Sequence, residues 1–434
     1  MDKITVIGAG LAGCEAAFAA ARLGVGVDLI DMKPHKHSPA HKSDLFCELV
    51  CSNSLKAARI DSAAGLLKEE MRRLGSVCLN VADRCTVAAG GALAVDRDAF
   101  SSGVTEAIKS RPEINIISKT VTEIPKDGVT VIATGPLTDE ALALDIENYC
   151  GQKSFSFYDA AAPIVAVDGI NMDIAFCASR YSDGEGDYIN CPMNKAEYEK
   201  FYNALISAET APLHSVDSGL KVYEGCMPIE VLAKRGEDAI RFGPMKPVGL
   251  RDPRTGHRPW AAVQLRRENS GGSLYNLVGF QTNLKFGEQK RVFSMIPGLE
   301  NAEFVRYGVM HRNSFINSPE LLNGDLSMIK NNNVFFAGQL SGVEGYMESA
   351  ASGIIAGINA ANRILGEKPV VLPDYTMIGA LISFITDKTV KSFQPMGANF
   401  GILPPLEIKI RDKRERYMAL SERALEYFDG GIVR

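Results

Sequence analysis

Apolar residues along this chain fall into short β-branched runs that alternate with alanine-rich or amphipathic stretches. Residues 4–7, Ile-Thr-Val-Ile, read as a buried strand, and residues 25–30 as a second. Between them stand Gly8, Gly10 and Gly13, then a run of alanines with high helix propensity. The alternation returns downstream. Residues 63–74 predict an amphipathic helix, 90–101 a passage from strand to helix, and 129–135 an apolar strand closing on Ala-Thr-Gly. Residues 333–357 read as strand, glycine-studded turn and small-residue helix. From about 187 to 319 proline, glycine and aromatic residues become dense, which predicts irregular strands. The whole implies an α/β fold: a Rossmann-like dinucleotide-binding domain with an inserted α+β domain. The expected division is 1–186, then the insertion 187–319, then 320–434 with a C-terminal helical region.

Strand, glycines, helix, strand and acid in this order make a dinucleotide site for separable physical reasons. Gly8 permits the tight turn, Gly10 lets a pyrophosphate approach the backbone, and Gly13 lets helix and strand pack closely. Ala9, Leu11 and Ala12 fill the rest of the loop and the helix's first turn, whose free N–H groups face the phosphates. Asp31, at the end of the second strand, can accept from ribose hydroxyls. The late segment with Gly338, Gln339, Gly342, Gly345 and Tyr346 matches the place where two-dinucleotide-fold flavoproteins contact the ribityl chain and isoalloxazine. FAD is therefore expected ahead of NAD as resident cofactor, since no second intact GxGxxG follows.

Composition narrows the class. The chain has 434 residues, is 46% hydrophobic and carries a net charge of −5, which argues against a protein that coats nucleic acid while allowing a local basic patch. Such a patch is offered by Arg241, Lys246, Arg251, Arg254, Arg258, Arg266 and Arg267, which face only Asp252 within residues 241–267. With prolines and Trp260 interleaved, it reads as an extended loop suited to a phosphate backbone, or as ordinary solvated charge. A second cluster, Lys409, Arg411, Lys413, Arg414 and Arg416, is expected on a helix and is tempered by Asp412 and Glu415. Nine cysteines without CxxC pairs give neither a disulfide framework nor a zinc site. No secretory leader and no membrane-spanning run is evident, so a cytoplasmic setting without membrane attachment is expected. His35, His37 and His41 lack nearby ligands at metal spacing, so no metal is expected. Cys51 precedes Ser-Asn-Ser, a turn or helix-cap signal, and could share a helix face with Cys47. Cys226 lies between a glycine and a Met-Pro turn.

Four segments in one order carry a family resemblance. They are Gly-Ala-Gly-Leu-Ala-Gly-Cys-Glu at the start, Glu-Leu-Val-Cys-Ser-Asn-Ser-Leu-Lys, Glu-Gly-Cys-Met-Pro-Ile-Glu, and Ala-Gly-Gln-Leu-Ser-Gly-Val-Glu-Gly-Tyr. Together they resemble the folate- and FAD-dependent tRNA uracil-5-methyltransferases of bacteria. The outer two are shared with the larger flavoproteins that modify wobble uridine; the two cysteine segments discriminate. The resemblance implies methylation of the T-loop uridine, position 54, with 5,10-methylenetetrahydrofolate as carbon donor and FAD reduced by NADPH or NADH. It casts Cys226 as the nucleophile at uracil C6 and Cys51 as a second thiol that helps remove the C5 proton. It places His311 and Tyr346 beside the folate; Arg251, Arg254 and Arg258 of the basic run are expected, from their charge and setting, to bind the RNA. Cys47 departs from the family pattern, where a small non-thiol residue is expected. Two alternatives stay open: the same chemistry on a uridine of 23S rRNA, and an FAD-dependent oxidation of a small molecule. The oligomeric state is not legible.

Overall fold

The computed structural model describes residues 3–38, 40–151, 155–180, 186–211, 227–308, 310–390 and 393–430. Five strands pair in parallel in the order Val334–Phe336, Val129–Ile132, Lys3–Ile7, Gly26–Asp31, Ile114–Ser118. Parallel neighbours need crossover connections, and helices on both faces bury them, which is why the runs are continuously apolar. All four residues of Val129–Ile132 are buried. The chain winds outward from Lys3–Ile7 to one side and later to the other, so the order reverses at that strand's end. That is the topological switch point, where the crevice of such a sheet opens.

The glycine loop sits there. Gly8 has φ +101°, and a Cβ on it would lie 2.6 Å from the Ala133 carbonyl oxygen. A Cβ on Gly13 would fall 1.7 Å from the Gly8 carbonyl oxygen. Helix Leu11–Arg22 then packs directly on helix Tyr346–Leu365. A Cβ on Gly353 would meet the Ala12 carbonyl oxygen at 2.2 Å, and one on Gly357 the Ala16 carbonyl oxygen at 2.3 Å. The small residues of both helices are thus a condition of their contact as well as of ligand approach.

Residues 164–306 build a second core around a six-stranded antiparallel sheet. Its order is Phe176–Cys177, Tyr188–Met193, Ala261–Arg267, Leu274–Leu277, Ile164–Ala166, Phe304–Arg306. The sheet starts upstream of residue 187, where the sequence put the boundary, because the short strand Ile164–Ala166 carries no composition change to announce it. Its central pair is regular over six residue pairs, from Tyr188–Arg266 to Met193–Ala261. The expectation of irregular strands therefore fails for the centre of this sheet, and the basic run 241–267 is no single loop. Arg266 and Arg267 end a strand buried at its first six positions, and Arg241 belongs to the short helix Ala239–Phe242. The chain enters and leaves this unit through two antiparallel neighbours, Phe155–Ala160 and Met310–Phe315.

Helix Ala63–Arg73 begins as its sequence predicts, capped by Ser62, whose side chain accepts from Gly65 N. The C-terminal helix Lys413–Asp429 packs on it and starts only at Lys413, with Asp412 as cap, so Lys409 and Arg411 precede it.

Candidate active site

The cradle at the switch point leaves backbone donors available. Gly10 precedes helix Leu11–Arg22 with no side-chain cap, and a Cβ built on it meets nothing within 4 Å. An uncapped helix start with open space before it is an anion site by construction. On one side lies a recess of about 50 Å³ lined by Gly8, Asp31, Lys119, Thr120, Val121 and Thr138, among others. The Asp31 carboxylate accepts from Ala9 N at 2.6 Å and Lys33 N at 2.9 Å, so it also tethers the glycine loop. On the other side a cavity of about 430 Å³ runs from Gly10, Leu11 and Ala12 past Gly338, Gln339 and Gly345 to Tyr346 and Cys51. These residues fit FAD: Gly8 and Asp31 would hold its adenosine end, the uncapped start of helix Leu11–Arg22 its pyrophosphate, and Gly338, Gln339 and Tyr346 its ring end. Gly342 stands apart from this lining. Its φ of +87° and the Phe393 ring, 2.3 Å from where a Cβ would sit, account for that glycine.

Cys51 closes the far end. No helix covers residues 41–53, so Cys47 and Cys51 share no helix face. Ser-Asn-Ser instead leads into strand Ser54–Ala57. The reason is local pairing: Cys47 N donates to the Ala9 carbonyl at 3.1 Å, and Phe46 and Leu49 are buried. Cys51 is half-buried and lines the cavity, whereas Cys47 is 2% exposed and lines neither space. Burial works against ionising Cys47, but hydrogen bonds from Cys14 and Cys78 and the charge of Lys33 outweigh it and hold that thiol low. Acidity without access does no chemistry on a substrate. Of the two thiols, Cys51 is the one that lines the cavity.

The Cys51 backbone is held from three sides. Its N–H donates to the Tyr346 hydroxyl oxygen at 2.7 Å. Arg97 donates to the carbonyls of Leu49 and Val50, the latter at 3.2 Å, and forks onto Glu268 at 2.5 and 3.3 Å. Arg266 donates to Ser52 Oγ at 2.6 Å and Asn53 Oδ1 at 2.9 Å. Asn53 Nδ2 in turn donates to the carbonyls of Val95 at 3.0 Å and Arg267 at 2.9 Å. Burial, with the neighbouring Cys51, pushes the Tyr346 phenol well above its ordinary range. Burial pulls down Arg266 and Arg306, while Glu268 more than offsets burial at Arg97 and raises it. Tyr346 thus touches Cys51 directly, a contact beyond the cofactor and folate roles expected of it.

Other expected residues fall elsewhere. Cys226 lies outside the described residues. The backbone of His311 pairs with Asp159 in strand Met310–Phe315. Arg251, Arg254 and Arg258 are exposed on the segment before strand Ala261–Arg267, and none lines the cavity. Arg254 is engaged by Asp252 at 2.8 Å, and Arg241 lies over the Trp260 ring at 3.8 Å. In the histidine loop, His37 meets Asp44 at 2.9 Å and His41 meets Ser38 at 2.6 Å. The sequence reading missed Arg97, Glu268, Gln281, which reaches the cavity from the second unit, and Lys119 to Val121. One signal was available: Arg266 is a charge inside an apolar strand run, which demands a buried partner.

The family model described as "Glucose inhibited division protein A" matches residues 3–368. Among curated proteins the chain is similar to methylenetetrahydrofolate–tRNA-(uracil-5-)-methyltransferase TrmFO of Lactobacillus johnsonii, 56% identical over 98% of this chain and 97% of the relative. The TrmFO of Symbiobacterium thermophilum is 58% identical, covering 98% and 95%. Among solved structures, Aquifex aeolicus GidA in its form II crystal covers 99% of this chain and 73% of its own, with a TM-score of 0.69 at 18% identity. That likeness speaks for the fold.

Proposed function

The chain belongs to the TrmFO family of methylenetetrahydrofolate–tRNA-(uracil-5-)-methyltransferases, and from that premise we propose that it methylates the T-loop uridine at position 54 through a site ending at Cys51. Uracil C5 in tRNA is the acceptor, methylenetetrahydrofolate the carbon donor, FAD the resident cofactor and NADPH or NADH the reductant. The observation that carries the reading is the cavity running without a break from the phosphate cradle to a half-buried thiol. A flavoprotein that only moves hydride needs no such thiol.

Bound FAD, once reduced, supplies the reducing equivalents that turn the donated methylene into a methyl group. The chain's own residues do the rest. C5 of uracil is a weak nucleophile until a thiolate adds at C6 and pushes the C5–C6 pair toward an enolate. Cys226 is the residue proposed for that bond. Once C5 has bonded the donated carbon, Cys51 as thiolate takes the C5 proton, and the C–H pair stays in the ring as the enolate. Loss of the Cys226 sulfur from C6 restores the double bond. Tyr346 holds the Cys51 amide in place meanwhile. Arg251, Arg254 and Arg258 are proposed to meet RNA phosphates, and His311 and Tyr346 to flank the folate. Among the described residues no helix is long and apolar enough to cross a membrane. A cytoplasmic location is proposed on the strength of the tRNA substrate.

The test is incubation of the FAD-loaded enzyme with methylenetetrahydrofolate, NADPH and either unmodified tRNA or a 23S rRNA transcript. Expected is 5-methyluridine in tRNA alone, absent when nucleotide 54 is cytidine, and independent of S-adenosylmethionine. Product in the rRNA, or in the cytidine-54 tRNA, would overturn the assignment.

A further inference from the structure

The three-sided hold on Cys51 comes from two units. Arg97 opens helix Arg97–Lys109 in the dinucleotide domain, while Arg266 lies near the end of strand Ala261–Arg267 of the second unit and Glu268 follows just after it. Glu268 is 3% exposed and the Arg97 side chain 15%, so their charges face little water. A guanidinium that forks onto a carboxylate and donates its remaining nitrogen to two consecutive carbonyls fixes that backbone, and a buried cation beside a thiol favours its ionised form. We propose that Arg97, locked by Glu268, is a positioning residue that holds Cys51 toward the cavity and keeps its sulfur as thiolate, with Arg266 anchoring the following turn. The inference rests on the catalytic role of Cys51 given above.

Several charges bear on this sulfur. Arg97 and Arg306 both interact with it electrostatically, and Arg266 binds the next two residues. Glu48, Lys56, Glu344, Glu348 and His41 share its cavity, and Tyr346 meets its amide. Lys56 and Glu348 pair at 2.6 Å and largely cancel at a distance. Burial leaves the guanidinium of Arg306 lowered, whereas at Arg97 the fixed counterion Glu268 more than offsets it. Glu268 therefore sets how much of the Arg97 charge reaches Cys51. Removing the cation and removing its counterion should act in opposite directions. A merely structural role predicts no such opposition, since both changes would loosen the same contact.

The experiment measures alkylation of Cys51 by iodoacetamide against pH in the FAD-loaded enzyme, read peptide by peptide, with exposed Cys177 as the internal reference. Arg97→Gln should raise the Cys51 midpoint by about one pH unit, a roughly tenfold slower reaction on the rising limb. Glu268→Gln should lower the midpoint, and Arg97→Lys should restore it close to wild type. Cys177 should not move. Unchanged Cys51 profiles in Arg97→Gln and Glu268→Gln, or shifts in the same direction, would overturn the proposal. Should Arg97→Gln fail to hold FAD, Glu268→Gln decides against Arg97→Lys: a midpoint equal to or above that of Arg97→Lys overturns it. Full methylation by Cys51→Ala would instead sink the catalytic role of Cys51, a result distinguishable from any of these.

Discussion

The two ends of the cavity are built in opposite ways. The cradle is local: Gly8, Gly10, Gly13 and Asp31 fall within two dozen consecutive residues, and each answers one steric or electrostatic demand. The thiol end is assembled from afar. Cys51 depends on Arg97, Arg266, Glu268 and Tyr346, which lie on three separate stretches of chain and on two packed units. A cofactor shared by many reactions can be served by a compact motif. A particular reaction is added by side chains that the fold brings in from elsewhere.

This contrast predicts how each end breaks. The largest effect should come from Gly13→Val, since even its Cβ would sit 1.7 Å from the Gly8 carbonyl oxygen. Purified protein should lack the flavin absorbance band and all methylation; a flavin-loaded variant would show that the loop yields. At the thiol end, Asn53→Ala should keep the flavin yet lower methylation about tenfold, because it removes one of the two acceptors that Arg266 grips beside Cys51 and strands two carbonyl acceptors. Flavin content and turnover measured on one preparation would separate the two ends.

A smaller effect is expected from Arg251→Ala, Arg254→Ala and Arg258→Ala combined. RNA affinity should fall and the slope of log affinity against log salt should flatten by roughly 0.7 to 0.9 per lost phosphate contact. The flavin should stay. The smallest effect is on stability. Burial raises the Glu15 carboxyl to about 7, although Ser76 and the amides of Val77 and Cys78 bond to it. The folded chain keeps this proton where the unfolded chain has lost it, so the stability this group contributes declines from about pH 4.5, the ordinary value, to about 7. In Glu15→Gln the fall in Tm across that window should be shallower than in wild type. Equal slopes would show that Glu15 does not titrate there.

Legibility followed the same division. The strands flanking Gly8 to Gly13, helix Ala63–Arg73 and helix Tyr346–Leu365 were readable because periodicity and small residues report local demands. Strand Ala261–Arg267 was not, since its basic end resembled a solvated loop until Ser52 and Asn53 appeared as partners from over 200 positions away. The thiols of Cys47 and Cys51 could not be ranked from the sequence, because burial of one and the cavity beside the other are tertiary facts. Arg97 carried no signal at all: an arginine after Asp96 reads as the ordinary first turn of a capped helix.

The central claim is that the thiol end, and not the cradle, makes this flavoprotein a methyltransferase. Its most direct test is Cys51→Ala assayed with unmodified tRNA, methylenetetrahydrofolate and NADPH, with bound flavin and 5-methyluridine quantified in the same sample. The account predicts a full complement of FAD and no 5-methyluridine. Wild-type methylation with FAD bound would contradict it.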